Sequence, residues 1–306
     1  MTSSNSNPEP VRRLPEPSWE HHELYLRVRD ALAALPLYFR TQTVIEGISA
    51  VDIFTLNSAL GATIENQVVA TLNQMRPVWD PDEKYKQFAF IRQAQTFPDV
   101  LFKSMLDSGD SQVILGIELK GWYLLAKEAE PSFRFAVTPA ACAIQDIIVV
   151  VPWVLSNVIS GSPMVFRPFI ESASYAAEYR NYHWQHLRTA KSDCGVRLAE
   201  NVTPYPRKVD KISDVPISDS GRNFGRFSRT GIMDEYLAEA KNELLAGIRA
   251  EHWLAFFKLF EDQRGNAMIS AEISKLQNRI GEGKQEGDER VDAAIAILTY
   301  LESLLD

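Results

Sequence analysis

Cysteine is nearly absent. Cys142 and Cys194 are the only two in 306 residues, too few for a disulfide framework and suited to a reducing, cytoplasmic setting. Long apolar runs are missing as well. The longest, IIVVVPWVL at 147–155, is far too short to cross a bilayer as a helix, so no membrane association is expected. The first residues carry no apolar core of a secretory signal. There is no GxxxxGK[ST] phosphate loop and no GxGxxG dinucleotide turn, which leaves nucleotide-driven chemistry without support. Ser160-Gly161-Ser162 lacks the GxSxG frame of a hydrolase elbow. His183, His186 and Cys194 are not spaced like the ligands of a structural zinc site.

An excess of positive charge is lacking too. The net charge is −8, which excludes a basic nucleic-acid coat. The charge is uneven, however. Residues 180–229 hold ten Lys/Arg against five Asp/Glu, a local excess of +5, so the rest of the chain carries −13. Such asymmetry marks a candidate polyanion-binding face, although a solvated basic loop has the same composition. The hydrophobic fraction of 45% is enough for a sizeable core. Residues 1–17, polar and proline-rich, are expected to be a disordered tail. The remainder, 18–306, reads as one domain: a core at about 60–190, a mobile basic loop at about 203–231 and a helical part at 232–306.

The hydrophobic period locates the elements. Residues 18–75 read as helical, and Ile64, Val68, Leu72 and Met75 recur on one face of a helix with Glu65 at its edge. The period then changes. DVLFKSM (99–105) reads as a strand, DSGDS (107–111) as a turn and QVILGIELKGW (112–122) as a strand buried on both faces. An extended FRFAV (133–137), a short helix at 139–146 and the apolar 147–155 strand follow, an order that predicts a mixed sheet flanked by helices, an α/β fold. Residues 171–190 read as an amphipathic helix. C-terminal helices carry Leu237, Leu244, Leu245, Ile248 and WLAFFKLF, then a last helix capped by Asp288 with Val291, Ile295, Leu298, Leu301 and Leu305 in a stripe.

Asp99, Glu118 and Lys120 break this apolar pattern. Burying a charge costs several kcal/mol unless it is paired or binds a metal. Side chains alternate along a strand, so Glu118 and Lys120 project together while Leu119 points away. If the 99–105 strand pairs back on the 112–122 strand, Asp99 reaches the edge where both emerge. Two carboxylates and the Leu119 carbonyl are hard oxygen ligands suited to Mg²⁺, with positions left for water and phosphate. Lys120 is placed to position or deprotonate water and to offset charge on phosphorus. An Asp99–Lys120 ion pair at a sheet edge is the structural alternative.

Pro98-Asp99, eighteen intervening residues and Glu118-Leu119-Lys120 resemble the PD-(D/E)XK nucleases. The resemblance covers roughly 60–160 and is most like a type II restriction endonuclease. It implies a restriction-endonuclease-like core and Mg²⁺-dependent cleavage of double-stranded DNA to 5′-phosphate and 3′-hydroxyl ends. It also implies metal binding by Asp99, Glu118 and Leu119, and Glu65 as the helix-borne acidic residue of the site. The partners expected are duplex DNA, a second copy of the chain and a cognate DNA methyltransferase. Arg180, His183 and Arg188 on the 171–190 helix, and Arg222, Arg226 and Arg229 in the Gly- and Ser-rich 220–231 stretch, are candidate DNA contacts. A repair or structure-selective nuclease and a catalytically silent interaction protein remain as alternatives.

Overall fold

The computed structural model describes residues 8–50, 52–93, 95–106, 112–189, 193–261, 265–282, 292 and 295–300. Helices come first: α1 (His22–Ala33), α2 (Leu35–Tyr38), α3 (Leu56–Gln74) and α4 (Arg76–Trp79). Strands β1 (Phe88–Arg92), β2 (Val100–Ser104), β3 (Val113–Tyr123), β4 (Ile147–Leu155), β5 (Pro163–Val165) and β6 (Phe169–Ser172) follow, with α5 (Ala173–Tyr182) directly after. Beyond it lie two small ribbons, β7 (Val196–Arg197) with β8 (Val215–Pro216) and β9 (Leu244–Leu245) with β10 (Ile248–Arg249). Helices α6 (Asp234–Lys241), α7 (Ala250–Glu261) and α8 (Asn266–Glu282) complete the order.

The sheet is mixed, in the order β1-β2-β3-β4-β5, with β6 also paired to β4. β1, β2 and β3 form an antiparallel meander, and β3 runs parallel to β4 from Ile117↔Ile147 to Tyr123↔Trp153. All nine residues of β4 are buried, as expected of a strand covered on both faces. Its far edge is shared: β6 pairs with 147–150 and β5 with 153–155. Pro152 sits at the handover, the place in an inner strand where a missing N–H costs least. Helix α3 packs over β3, and a Cβ at Gly121 would lie 3.4 Å from the Gly61 carbonyl oxygen. One hydrophobic cluster continues from α1 to the C-terminal helices.

The α/β architecture agrees with the reading of the sequence, while several elements differ from it. The first meander strand, FAFIR, has no counterpart in the sequence reading: it is an edge strand only partly buried, apart from Phe90, so it lacks the long apolar run of β3 and β4. The expected helix at 171–190 starts as strand: β6 runs to Ser172, whose hydroxyl then caps α5 by accepting from the Tyr175 N–H. A π-turn spans His183–Leu187. Between β3 and β4 only one short turn, Pro139–Ala141, is helical. The stretch from Pro8 to Pro17, expected to be disordered, runs along α5. Arg12 Nε is 2.8 Å from Glu171 Oε2, and its guanidinium lies 4.6 Å over the Tyr175 ring.

The basic segment 203–231 is irregular but anchored. Backbone hydrogen bonds join it to FRFAV, from Thr138 N to the Ile212 oxygen, from Asp214 N to the Ala136 oxygen and from Phe135 N to the Gly225 oxygen. Phe224 and Phe227 are buried. A 29-residue segment without a long helix or strand is held here by borrowed backbone partners and inserted aromatics, neither of which shows in local periodicity. In α7, Trp253, Leu254, Phe256 and Phe257 are all buried within the chain. Ile295 is exposed and Leu298 buried. Asp288, Val291, Leu301, Leu305 and the expected 107–111 turn lie outside the described residues.

Candidate active site at the β2–β3 edge

Strand β3 is longer than its partner. β2 pairs with it only as far as Val100↔Ile117, so the edge beyond would expose backbone N–H groups above the sheet, which need partners. Three side chains supply them in series. Asp99 Oδ2 accepts from Leu119 N at 3.1 Å, Glu65 Oε1 from Gly121 N at 3.2 Å and Asn57 Oδ1 from Tyr123 N at 2.9 Å. Asn57 and Glu65 are eight residues apart on α3, about two turns, so both face the same strand.

Asp99 immediately precedes β2, and continuing the β2–β3 register places it opposite Glu118. Lys120 projects from the same face of β3 as Glu118. Its Nζ lies 3.4 Å from Glu65 Oε1, while Arg92 Nη2 holds Glu65 Oε2 at 2.9 Å. Arg92 is fixed in turn by Asn66 Oδ1. The Asp99–Lys120 ion pair, the structural alternative to a metal site, is therefore not the one that forms: among the described residues Lys120 pairs with Glu65.

The electrostatics are unbalanced. Three carboxylates, Asp99, Glu118 and Glu65, face two cations, Lys120 and Arg92. Burial pushes the Asp99 carboxyl up to about 6, helped by repulsion from Glu65 and opposed by the Leu119 N–H, Lys120 and Arg92. Glu118 is raised well above the usual carboxylate range by desolvation and then by the Asp99 charge, with the Asp99 backbone N–H and Lys120 acting against. Both oxygens of Glu65 are occupied by protein donors, so it orients Lys120 and caps β3. Asp99, Glu118 and the Leu119 carbonyl remain as the oxygen groups at this edge that could hold a hard divalent cation, with water completing the shell. Among the described residues no group of three His, Cys, Asp or Glu side chains could hold a metal by itself.

A fourth carboxylate is bonded to the same strand at Gly116. Asp146, completely buried, accepts from Gly116 N at 2.7 Å, Ala143 N at 2.8 Å and the Tyr205 hydroxyl at 3.2 Å, and burial raises it to about 6. Gly116 is packed so closely that a Cβ there would lie 2.3 Å from Pro98 Cγ. The glycine thus lets the Pro98-Asp99 segment lie flat on β3.

Several of the expected DNA contacts meet around Phe224: Arg188 stacks on Trp184, whose ring lies 5.2 Å from Phe224, and the Arg180 guanidinium lies 5.0 Å from the same ring. Arg180 is a correction: it is 2% exposed and cannot meet a ligand. It donates to the Phe135 and Val137 oxygens at 2.7 and 2.9 Å and pairs with Asp214 at 2.6 Å. Desolvation lowers it to about 10. This buried pair clamps α5 to the irregular segment. Arg226 pairs with Glu128 at 3.0 Å and Arg229 with Glu130 at 2.7 Å. Arg222 is exposed at positive φ. Arg188 lies 3.3 Å over the Trp184 ring, and His183 is lowered by burial and then by Arg188. Residues missed from the sequence are Arg92, Asn57, Gly116 and Asp146. For Arg92 the apolar alternation of FAFIR was a usable signal; for the others the partners lie too far away in sequence.

A cavity of about 500 Å³ between the N-terminal segment and α5 is lined by Glu9, Arg13, Glu178, Tyr182 and His186, among others. It includes none of the strand-edge residues. The edge is the stronger candidate for chemistry on a polymer, since it combines opposed, perturbed carboxylates with a lysine. Comparison with protein-family models, curated proteins and solved structures finds no match to this chain.

Proposed function

We propose that the chain is a Mg²⁺-dependent phosphodiesterase that cleaves double-stranded DNA, of the restriction-endonuclease kind. The observation that carries this reading is the placement of Asp99 opposite Glu118 at the end of β2, both raised by desolvation, with Lys120 on the same face. A fold that keeps two carboxylates together at this cost is one that a divalent cation would relieve.

Asp99 and Glu118, with the Leu119 carbonyl, would hold the cation. When bound, Mg²⁺ supplies polarisation of the phosphoryl oxygen and acidifies water. Lys120, steadied by Glu65, presents an ammonium to the non-bridging oxygens and to the incoming water. Arg92 keeps Glu65 in place and is a positioning residue. In the hydrolysis, water adds to phosphorus and the 3′ oxygen leaves, giving 5′-phosphate and 3′-hydroxyl ends. Cutting both strands with one such site per chain requires two copies, so a homodimer and a companion methyltransferase belong to the same proposal.

The test is incubation with plasmid DNA and Mg²⁺. Discrete products with the wild type, and none with Asp99→Ala, Glu118→Ala or Lys120→Ala variants that remain folded, are expected. Undiminished cleavage by any of the three would move the chemistry elsewhere. A second reading has its own observation: Asp99, Glu65 and Asn57 cap successive N–H groups of β3, as they would in a non-catalytic protein whose long strand outruns its partner. Absence of both cleavage and divalent-cation binding would favour it.

A further inference from the structure

The basic residues singled out at 222–229 are partly neutralised by acidic neighbours, yet another basic stretch borders the site. Residues 200–211 form an irregular loop carrying Arg207, Lys208 and Lys211, all exposed. Its acidic members are Glu200 and Asp210. Asp210 is taken up locally, pairing with Arg207 at 3.0 Å. Lys208 and Lys211 have no carboxylate within ion-pair distance among the described residues.

Two contacts fix this loop beside the candidate site. At its base the Tyr205 hydroxyl bonds to Asp146, which also holds Gly116, two residues before Glu118 on β3. Near its tip Lys208 Nζ lies 3.0 Å from Gln95 Oε1. Gln95 belongs to the turn between β1 and β2 that ends at Asp99, a turn closed by the bond from Gln93 N to the Asp99 oxygen at 2.6 Å. Four Cα–Cα steps separate Gln95 from Asp99, so their Cα atoms are at most about 14 Å apart. At about 3.4 Å of axial rise per nucleotide on one strand, that span covers about four phosphates. Next to Lys208, Val209 is 78% exposed, and Lys208 and Lys211 are exposed on either side of it.

Resting on the nuclease reading, we propose that the 205–211 loop is the DNA-backbone clamp of this enzyme. Lys208 and Lys211 engage phosphates flanking the scissile bond; in the free protein Tyr205–Asp146 and Lys208–Gln95 hold the loop on the side of Asp99, and Tyr205–Asp146 keeps it there once Lys208 turns to phosphate. The occupant is the duplex phosphate backbone, because exposed ammonium groups with no carboxylate partner contact phosphates as point charges without reading base edges. The Gln95 contact is exchanged for phosphate on binding, since a neutral amide is the weaker acceptor.

The experiment measures binding of a fluorescent 30-base-pair duplex in Ca²⁺ across a salt series, for wild type, Lys208→Ala/Lys211→Ala and Lys208→Arg/Lys211→Arg. Melting temperatures confirm folding. Loss of two phosphate contacts is expected to flatten the log–log salt slope by up to about 2 and to weaken binding by about 10- to 100-fold at moderate salt. The arginine pair should restore the slope. An unchanged slope in the alanine pair, with wild-type DNA still bound and cleaved, overturns the clamp and leaves the nuclease reading standing. If the wild type binds no duplex at all, the clamp and the nuclease reading fall together.

Discussion

Replacing Asp99 by asparagine separates a site from a structural ion pair, because the two predict opposite signs. An ionised Asp99 held at about 6, against an ordinary 3.8, costs the folded protein about 3 kcal/mol once pH exceeds both values. Asparagine removes the charge and keeps an oxygen for the Leu119 N–H. Its amide nitrogen introduces a donor that needs a partner, which costs about 1 kcal/mol. The expected net effect at pH 8 is stabilisation by about 1–2 kcal/mol, a melting-point gain of about 2–4 °C for a chain of this size. The pH dependence has a definite sign. A carboxyl raised in the folded state gives that state extra bound protons between about 4 and 6, so wild-type stability falls as pH rises through that window. The advantage of Asp99→Asn should therefore be absent below pH 4 and fully developed above pH 6. Mg²⁺ or Ca²⁺ at about one hundred times Kd should reverse the ranking, stabilising the wild type by about 2.7 kcal/mol without affecting the variant. Differential scanning calorimetry across pH, with and without metal, measures all of this. If Asp99→Asn melts below wild type at pH 8, Asp99 is held by cations as a structural partner and the metal-site argument is refuted.

Three other outcomes are expected. Arg180→Ala strands the buried Asp214 carboxylate and two carbonyls, so the urea midpoint should fall by an amount equivalent to about 3–5 kcal/mol; a loss under 1 kcal/mol would mean the clamp is dispensable. Gly116→Ala drives a methyl into Pro98 Cγ and should displace Asp99, abolishing divalent-cation binding along with stability, whereas a variant that retains cation affinity would show that the 98–99 segment shifts freely. Sedimentation equilibrium should report a dimer at micromolar concentration; a mass that stays near 34.5 kDa would sink the stable-dimer proposal, which already has to do without the α7 aromatics buried inside the chain.

The strand-forming segments around the site were legible because apolar residues have local signatures. Val100–Ser104, Val113–Tyr123 and Ile147–Leu155 are rich in aliphatic and aromatic β-formers despite Gly116, Glu118, Lys120, Gly121 and Pro152, and α3 shows its buried face at helical spacing. Strand alternation alone put Glu118 and Lys120 on one face, and an antiparallel return brought Asp99 to them. That Lys120 turns to Glu65, that Arg92 braces Glu65 and that Asp146 anchors both Gly116 and Tyr205 are contacts spanning 27 to 59 residues, outside any local pattern. Arg180 shows the same limit from the other side. Between Tyr179 and Asn181 on a polar-looking helix it reads as a surface cation, and only the return of Asp214, 34 residues later, makes its burial possible. Sequence determines secondary structure and facing through nearest-neighbour sterics and burial, but which charges meet is decided by where the closed fold brings their partners.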